Sequence, residues 1–169
     1  TILASMMLGF DYVDSTQHEN GLFDYITCNF FSAPDTAFCI GIILPMYRYL
    51  RKQTALPEGE KLLMQRMEKI IHKGGRGLLE GGFHTPNHRW VHTSALYYAY
   101  NTLKVKDQRF VDLAEKYLAE KIDIDESGEF SERSAGMYSA ISDRALCGIA
   151  EEGGKPELFE LVKRNLLLV

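Results

Sequence analysis

Three short segments carry the side chains most able to do chemistry. Residues 84–90 read His84, Thr85, Pro86, Asn87, His88, Arg89, Trp90, with His92 two places further on. Asparagine and arginine can bind a carboxylate, and a histidine moves protons near neutral pH. A tryptophan offers a flat face to a sugar ring. Asn87 could equally cap a helix, leaving His88 and Arg89 solvated. The second segment, residues 129–138, supplies Arg133 and Tyr138. On a helix these would lie a little over one turn apart, and a nearby guanidinium favours a tyrosine's ionised form. The alternative is a core tyrosine beside a surface arginine. The third segment, residues 29–35, supplies Asn29 and Asp35. Asp35, Glu129 and Glu132 could serve as the paired carboxylates of a glycosidase, or simply as acidic residues at helix starts.

Other chemistries find little support. His84, His88 and His92 have i, i+4, i+8 spacing, but Pro86 keeps a helix from reaching back to His84, so no metal set is assigned. There is no HExxH, no P-loop and no GxSxG elbow, and no cofactor is expected. The 19 basic and 23 acidic residues give a net charge of −4, which does not suit a nucleic-acid partner. The longest apolar stretch, residues 37–46, is too short for a membrane helix. The cysteines Cys28, Cys39 and Cys147 show no CxxC spacing and read as buried thiols.

These residues need a frame, and helical periodicity supplies one. Residues 58–73, 107–122 and 156–168 each place apolar side chains on one face and charge on the other. Residues 35–50, 89–103 and 134–150 are apolar on most sides, as helices enclosed by others are. The order is enclosed, amphipathic, three times over, with enclosed helices starting at intervals of roughly fifty residues. The pattern predicts an all-α chain of one domain, residues 1–169, with hairpins at 35–73, 89–122 and 134–168. An arc of an (α/α) toroid, with alternating inner and outer helices, fits this alternation. Gly74, Gly75 and Gly77 are expected to close the second helix, and residues 23–31 to form a loop. Up-down hairpins would bring the starts of the three inner helices, and so the three segments above, to one mouth. The open flanks of a partial ring would expose apolar surface and favour association. The chain begins at Thr1 with no charged-then-apolar leader and ends in the apolar residues 166–169, as expected of a piece of a longer protein.

Residues 82–91 (GFHTPNHRWV), 122–125 (IDID) and 128–138 (GEFSERSAGMY), with 18–24 (HENGLFD) and 32–38 (SAPDTAF), resemble bacterial heparinase II/III-like proteins and related polysaccharide lyases of (α/α) toroid fold. The resemblance runs over most of the chain. It implies β-elimination on a uronate-containing polysaccharide or oligosaccharide, and a periplasmic or secreted location. By this resemblance Asn87 and Arg89 would hold the uronate carboxylate, and His88 would be a base or a second neutralising group. Arg133 would favour the ionised Tyr138 or bind substrate, and Tyr138 would be base, acid or both. His84, Trp90, Asn29 and Asp35 would line the substrate site. Such toroids contain more hairpins than the three read here. A toroid glycoside hydrolase and a non-catalytic glycan- or protein-binding helical module are the alternatives.

Overall fold

The computed structural model describes residues 1–102, 104, 106–134 and 136–168. The described residues are mostly helical, as an all-α chain requires, with one small β-hairpin and an isolated bridge between Ile124 and Phe130. The described elements are α1 (Ile2–Thr16), β1 (Phe23–Tyr25), β2 (Asn29–Ser32), α2 (Ala33–Arg51), α3 (Glu58–Leu78), α4 (Pro86–Thr102), α5 (Gln108–Ala119), α6 (Met137–Glu152) and α7 (Leu158–Leu168).

The six helices expected from periodicity are present, with shifted ends. Leu103, Ala135 and Val169, which the sequence reading placed in or beside its helices and terminal run, lie outside the described residues. Four expectations need correction. Residues 2–16, given no structure from sequence, form α1, whose Leu3, Met6, Phe10 and Val13 pack partly buried against the core. Residues 23–32 pair as an antiparallel β1–β2 hairpin rather than a plain loop. The third apolar helix starts at Met137, so Arg133 precedes it in a loop with φ +47° and shares no helix with Tyr138. Finally, α3 runs through Gly74, Gly75 and Gly77 to Leu78.

That last correction has a packing cause. A Cβ at Gly75 would stand 2.7 Å from Ala99 Cβ of α4 and 3.0 Å from the Phe110 ring of α5. A Cβ at Gly77 would meet the Asn20 carbonyl at 2.7 Å and the Leu22 side chain at 2.8 Å. The glycines let α3 approach its neighbours closely, and burial outweighs their poor helix propensity.

Helix α4 lies at the centre, packed against α2, α3, α5 and α6, while α7 packs on α6 and α1 on α3. Trp90, Ala95, Leu96 and Ala99 of α4 are wholly buried. Helices α2, α4 and α6 run side by side in the same direction, since their C-terminal ends are tied together. Arg51 donates to the Asn101 carbonyl at 3.1 Å, Asn101 Nδ2 donates to Glu152 at 2.6 Å, and Arg48 pairs with Glu152. Helices α3, α5 and α7 cover one side of this layer. The other side is an open groove of about 110 Å³ lined by Phe38, Gly41, Ile42, Val91, Tyr98 and Ile141 among others. Thus α2 and α6 are not enclosed all round: Ile42 is 68% exposed. No described helix is long and apolar enough to cross a membrane.

Two glycine-to-alanine substitutions should move stability in opposite directions. Gly75→Ala should destabilise by about 1–3 kcal/mol, because overpacking against Ala99 exceeds the helix-propensity gain. Gly9→Ala on exposed α1, where nothing lies within 4 Å of the new methyl, should stabilise by roughly 0.5–1 kcal/mol. Urea unfolding midpoints of the two variants and the parent give the comparison.

Candidate functional site at the N-terminal end of the helix layer

The starts of α2 and α4 and the segment before α6 meet at one end of the layer. At α2, Ser32 is the N-cap: its Oγ accepts the Asp35 N–H at 3.3 Å and donates to the Asp35 carboxylate. Asn29 Nδ2 donates to the same Oγ at 2.8 Å. Thr36 Oγ1 accepts the Phe23 N–H at 2.8 Å and donates to the Ser32 carbonyl at 2.6 Å, which fastens the β-hairpin to the helix. Asp35 and Asn29 thus stand at the lip of this end, each half-buried.

At α4, Asn87 is buried, and both its side-chain hydrogens are committed. Nδ2 donates to the two carboxylate oxygens of Glu132 at 2.7 and 2.9 Å, and the Asn87 backbone N–H reaches Glu132 Oε2 at 3.2 Å. Asn87 does hold a carboxylate, but it is the protein's own. The negative group sits over the free N–H groups of the first turn, where the helix dipole favours it. Neither a free substrate-binding amide nor simple N-capping describes this residue, because Pro86 already begins the helix. Asn87 Oδ1 is buried without a partner.

His88 is half-buried, with Phe38 of α2 edge-on at 6.0 Å between ring centroids. Burial lowers its pKa, partly offset by the negative charges of Asp35 and Glu132, while His84 acts in the same direction as burial. Burial thus favours the neutral ring against the pull of the two carboxylates. Its Nδ1 is buried and unpartnered. His84 is exposed at the same end.

Two further residues point elsewhere. Arg89 Nη1 pairs with Glu120 at 2.7 Å, its Nη2 lies 3.5 Å from Asp123, and the guanidinium stacks over the Trp90 ring at 4.1 Å. Trp90 is fully buried, and its Nε1 donates to Asp123 at 2.7 Å. These two side chains brace α4 against the segment after α5. A buried indole presents no face to a sugar, and a guanidinium already shared by two carboxylates is not a free anion site. Arg133 is largely exposed and pairs with Glu129 at 4.0 Å. Tyr138, 46% exposed, stands in the first turn of α6.

His92, one turn beyond His88, faces the other way. It is buried, its Nε2 lies 2.9 Å from the Leu78 carbonyl, and its ring meets Tyr117 edge-on. Among the described residues no three His, Cys, Asp or Glu side chains form a group able to hold a metal ion. Missed from sequence was the β-hairpin beside this end, with exposed Phe30 and Phe31; only the alternation of residues 23–31 hinted at it. No protein-family model matches the chain, and no curated protein or solved structure matches it either.

The buried His92 generates a pH dependence of stability. Burial holds its pKa down to about 4, from an ordinary 6.5. Between these values the unfolded chain binds more protons than the native one, so stability falls as pH drops from about 6.5 to 4. Asp143 has the opposite sign: burial raises its carboxyl to about 6, so its contribution falls as pH rises through that region. His92→Gln keeps a donor for the Leu78 carbonyl but cannot titrate. Between pH 7 and pH 4 the parent should lose roughly 3 kcal/mol more than the variant, measured by urea unfolding. Equal losses in the two proteins would mean that His92 titrates normally in the fold.

Proposed function

We propose that this chain is the catalytic part of a polysaccharide lyase that cleaves a uronate-containing glycan by β-elimination. The observation that carries the proposal is His88, a half-buried imidazole in the first turn of α4, at the end where the starts of α2 and α4 meet the segment before α6; burial favours its neutral form against the charges of Asp35 and Glu132. A neutral imidazole at pH 7 is a competent general base. The finer architecture proposed is an arc of an (α/α) toroid, with α2, α4 and α6 as inner helices and the groove along them as the path of the glycan.

In this reading His88 removes the proton at C5 of the uronate. The electron pair left behind forms the C4=C5 double bond as the C4–O glycosidic bond breaks. The Tyr138 phenol gives a proton to the departing oxygen. Arg133 and His84, both exposed at this end, are the groups open to a substrate carboxylate. Asn87 acts through Glu132, fixing that carboxylate beside His88, and Asn29 acts through Ser32 and Asp35. Arg89 and Trp90 support the site without touching the glycan. Acidic polysaccharides are the partners this chemistry requires, and a periplasmic or secreted location would bring them within reach.

Asp35 and Glu132 favour a second reading, a toroid glycoside hydrolase, because the charges of both carboxylates reach the same ring. One assay separates the two. Ultraviolet absorbance of the conjugated unsaturated uronate is followed over a panel of acidic polysaccharides. His88→Ala and Tyr138→Phe should each slow its appearance by about 10²-fold or more. New reducing ends without that absorbance would move the assignment to Asp35 and Glu132. Neither product from any member of the panel would overturn catalysis by this chain and leave the binding module.

A further inference from the structure

The β1–β2 hairpin beside the site holds an aromatic side chain in a conformation that the backbone disfavours. Phe23 pairs with Ser32 and Tyr25 with Asn29, so two steps along β1 face three along β2. The extra residue makes a bulge, and Phe31 within it has φ +52°. Glycine is the usual residue at such a left-handed bulge position, and a bulky side chain there is strained. Two contacts hold the strained form, and a third braces them against each other. Asp24 Oδ1 accepts the Phe31 N–H at 2.7 Å, His18 Nε2 pairs with Asp24 Oδ2 at 2.9 Å, and the His18 ring lies 4.5 Å from the Phe31 ring. Those two contacts with Phe31 and His18 hold the Asp24 carboxyl below the usual carboxylate range. Yet the fixed ring is not buried: Phe31 remains 55% exposed, and Phe30 beside it 65%. A strained residue held by surrounding contacts is the pattern found at ligand clamps. The next residue, Ser32, is bonded to Asp35, whose charge reaches His88.

We propose that Phe31, set by the His18–Asp24 pair, is a stacking platform for one pyranose ring of the glycan that enters at His88. It deepens the lyase reading and rests on it for the ligand class. A flat aromatic face takes the apolar face of a sugar ring, while the neighbouring polar end takes its charged substituents. His18 and Asp24 are positioning residues: they fix the ring without touching the glycan themselves.

Binding, not turnover, tests it. Titration calorimetry would use uronate oligosaccharides of two and of five or more units on the parent, Phe31→Gly, His18→Gln and Phe159→Ala, a control at an exposed aromatic of α7. Phe31→Gly should raise the melting temperature by relieving the left-handed strain, yet weaken binding of the longer oligosaccharide roughly tenfold. His18→Gln should weaken it less, and Phe159→Ala should leave it unchanged. Unaltered affinity in Phe31→Gly overturns the platform, whatever the absorbance assay reports. Loss of melting temperature with unaltered affinity would assign Phe31 to packing instead. Loss of affinity in Phe31→Gly from a protein that forms no unsaturated product would uphold the platform and reject the lyase. An absence of any oligosaccharide binding by the parent overturns both.

Discussion

The burial of α4 is the constraint on which the remainder hangs. A helix with Trp90, Ala95, Leu96 and Ala99 wholly buried must have neighbours on nearly every side, and α2, α3, α5 and α6 are those neighbours. Such a helix cannot tilt freely, so its two ends become fixed points. At its C-terminus Asn101 links Arg51 of α2 to Glu152 of α6. At its N-terminus Asn87 grips Glu132 from the segment before α6. Parallel alignment of α2, α4 and α6 follows from these two clasps together. The clustering of Asp35, His88 and Glu132 follows in turn from that alignment.

The same constraint explains the character of His88. A histidine in the first turn of an exposed helix would be hydrated on most sides. Here Phe38 closes one side, and the buried Asn87–Glu132 clasp lies on another. Desolvation therefore exceeds the attraction of two nearby carboxylates, and the balance shifts toward the neutral ring. Had the carboxylates dominated, His88 would be an imidazolium and a poor base.

Much of the helical frame was legible in the sequence, because a change from one-sided to all-round apolar patterning survives without knowledge of contacts. The site was legible only in part. Residues 87–90 read as one polar and aromatic cluster, but successive helix positions point about 100° apart. Hence Asn87 turns to Glu132, His88 to Phe38, and Arg89 to Glu120. Rotation on a helix is set by what the helix packs against, and the sequence of the helix alone does not say. The glycines of α3 failed for a related reason: breaker and close-packing roles use the same residue, and only the neighbours Ala99 and Leu22 distinguish them. The hairpin was missed because its strands, three and four residues long and interrupted by a bulge, are too short for their partial alternation to stand out.

One defect in the frame shows how such local rules combine. Pro45 lies inside α2 and has no N–H for the carbonyl four residues earlier, that of Gly41. Left alone, that carbonyl would be an unsatisfied acceptor facing the groove. Arg144 of α6 instead donates Nη2 to it at 3.1 Å, reaching across the groove over α4. The lost intrahelical bond is thereby replaced by a second tie between α2 and α6, which the Arg48–Glu152 pair joins at their C-terminal ends. Tyr98, whose hydroxyl fits against Gly148 of α6 with no room for a Cβ, helps to set the floor below this tie. A groove with Phe38, Ile42 and Ile141 on its walls and a guanidinium across it joins apolar faces to positive charge.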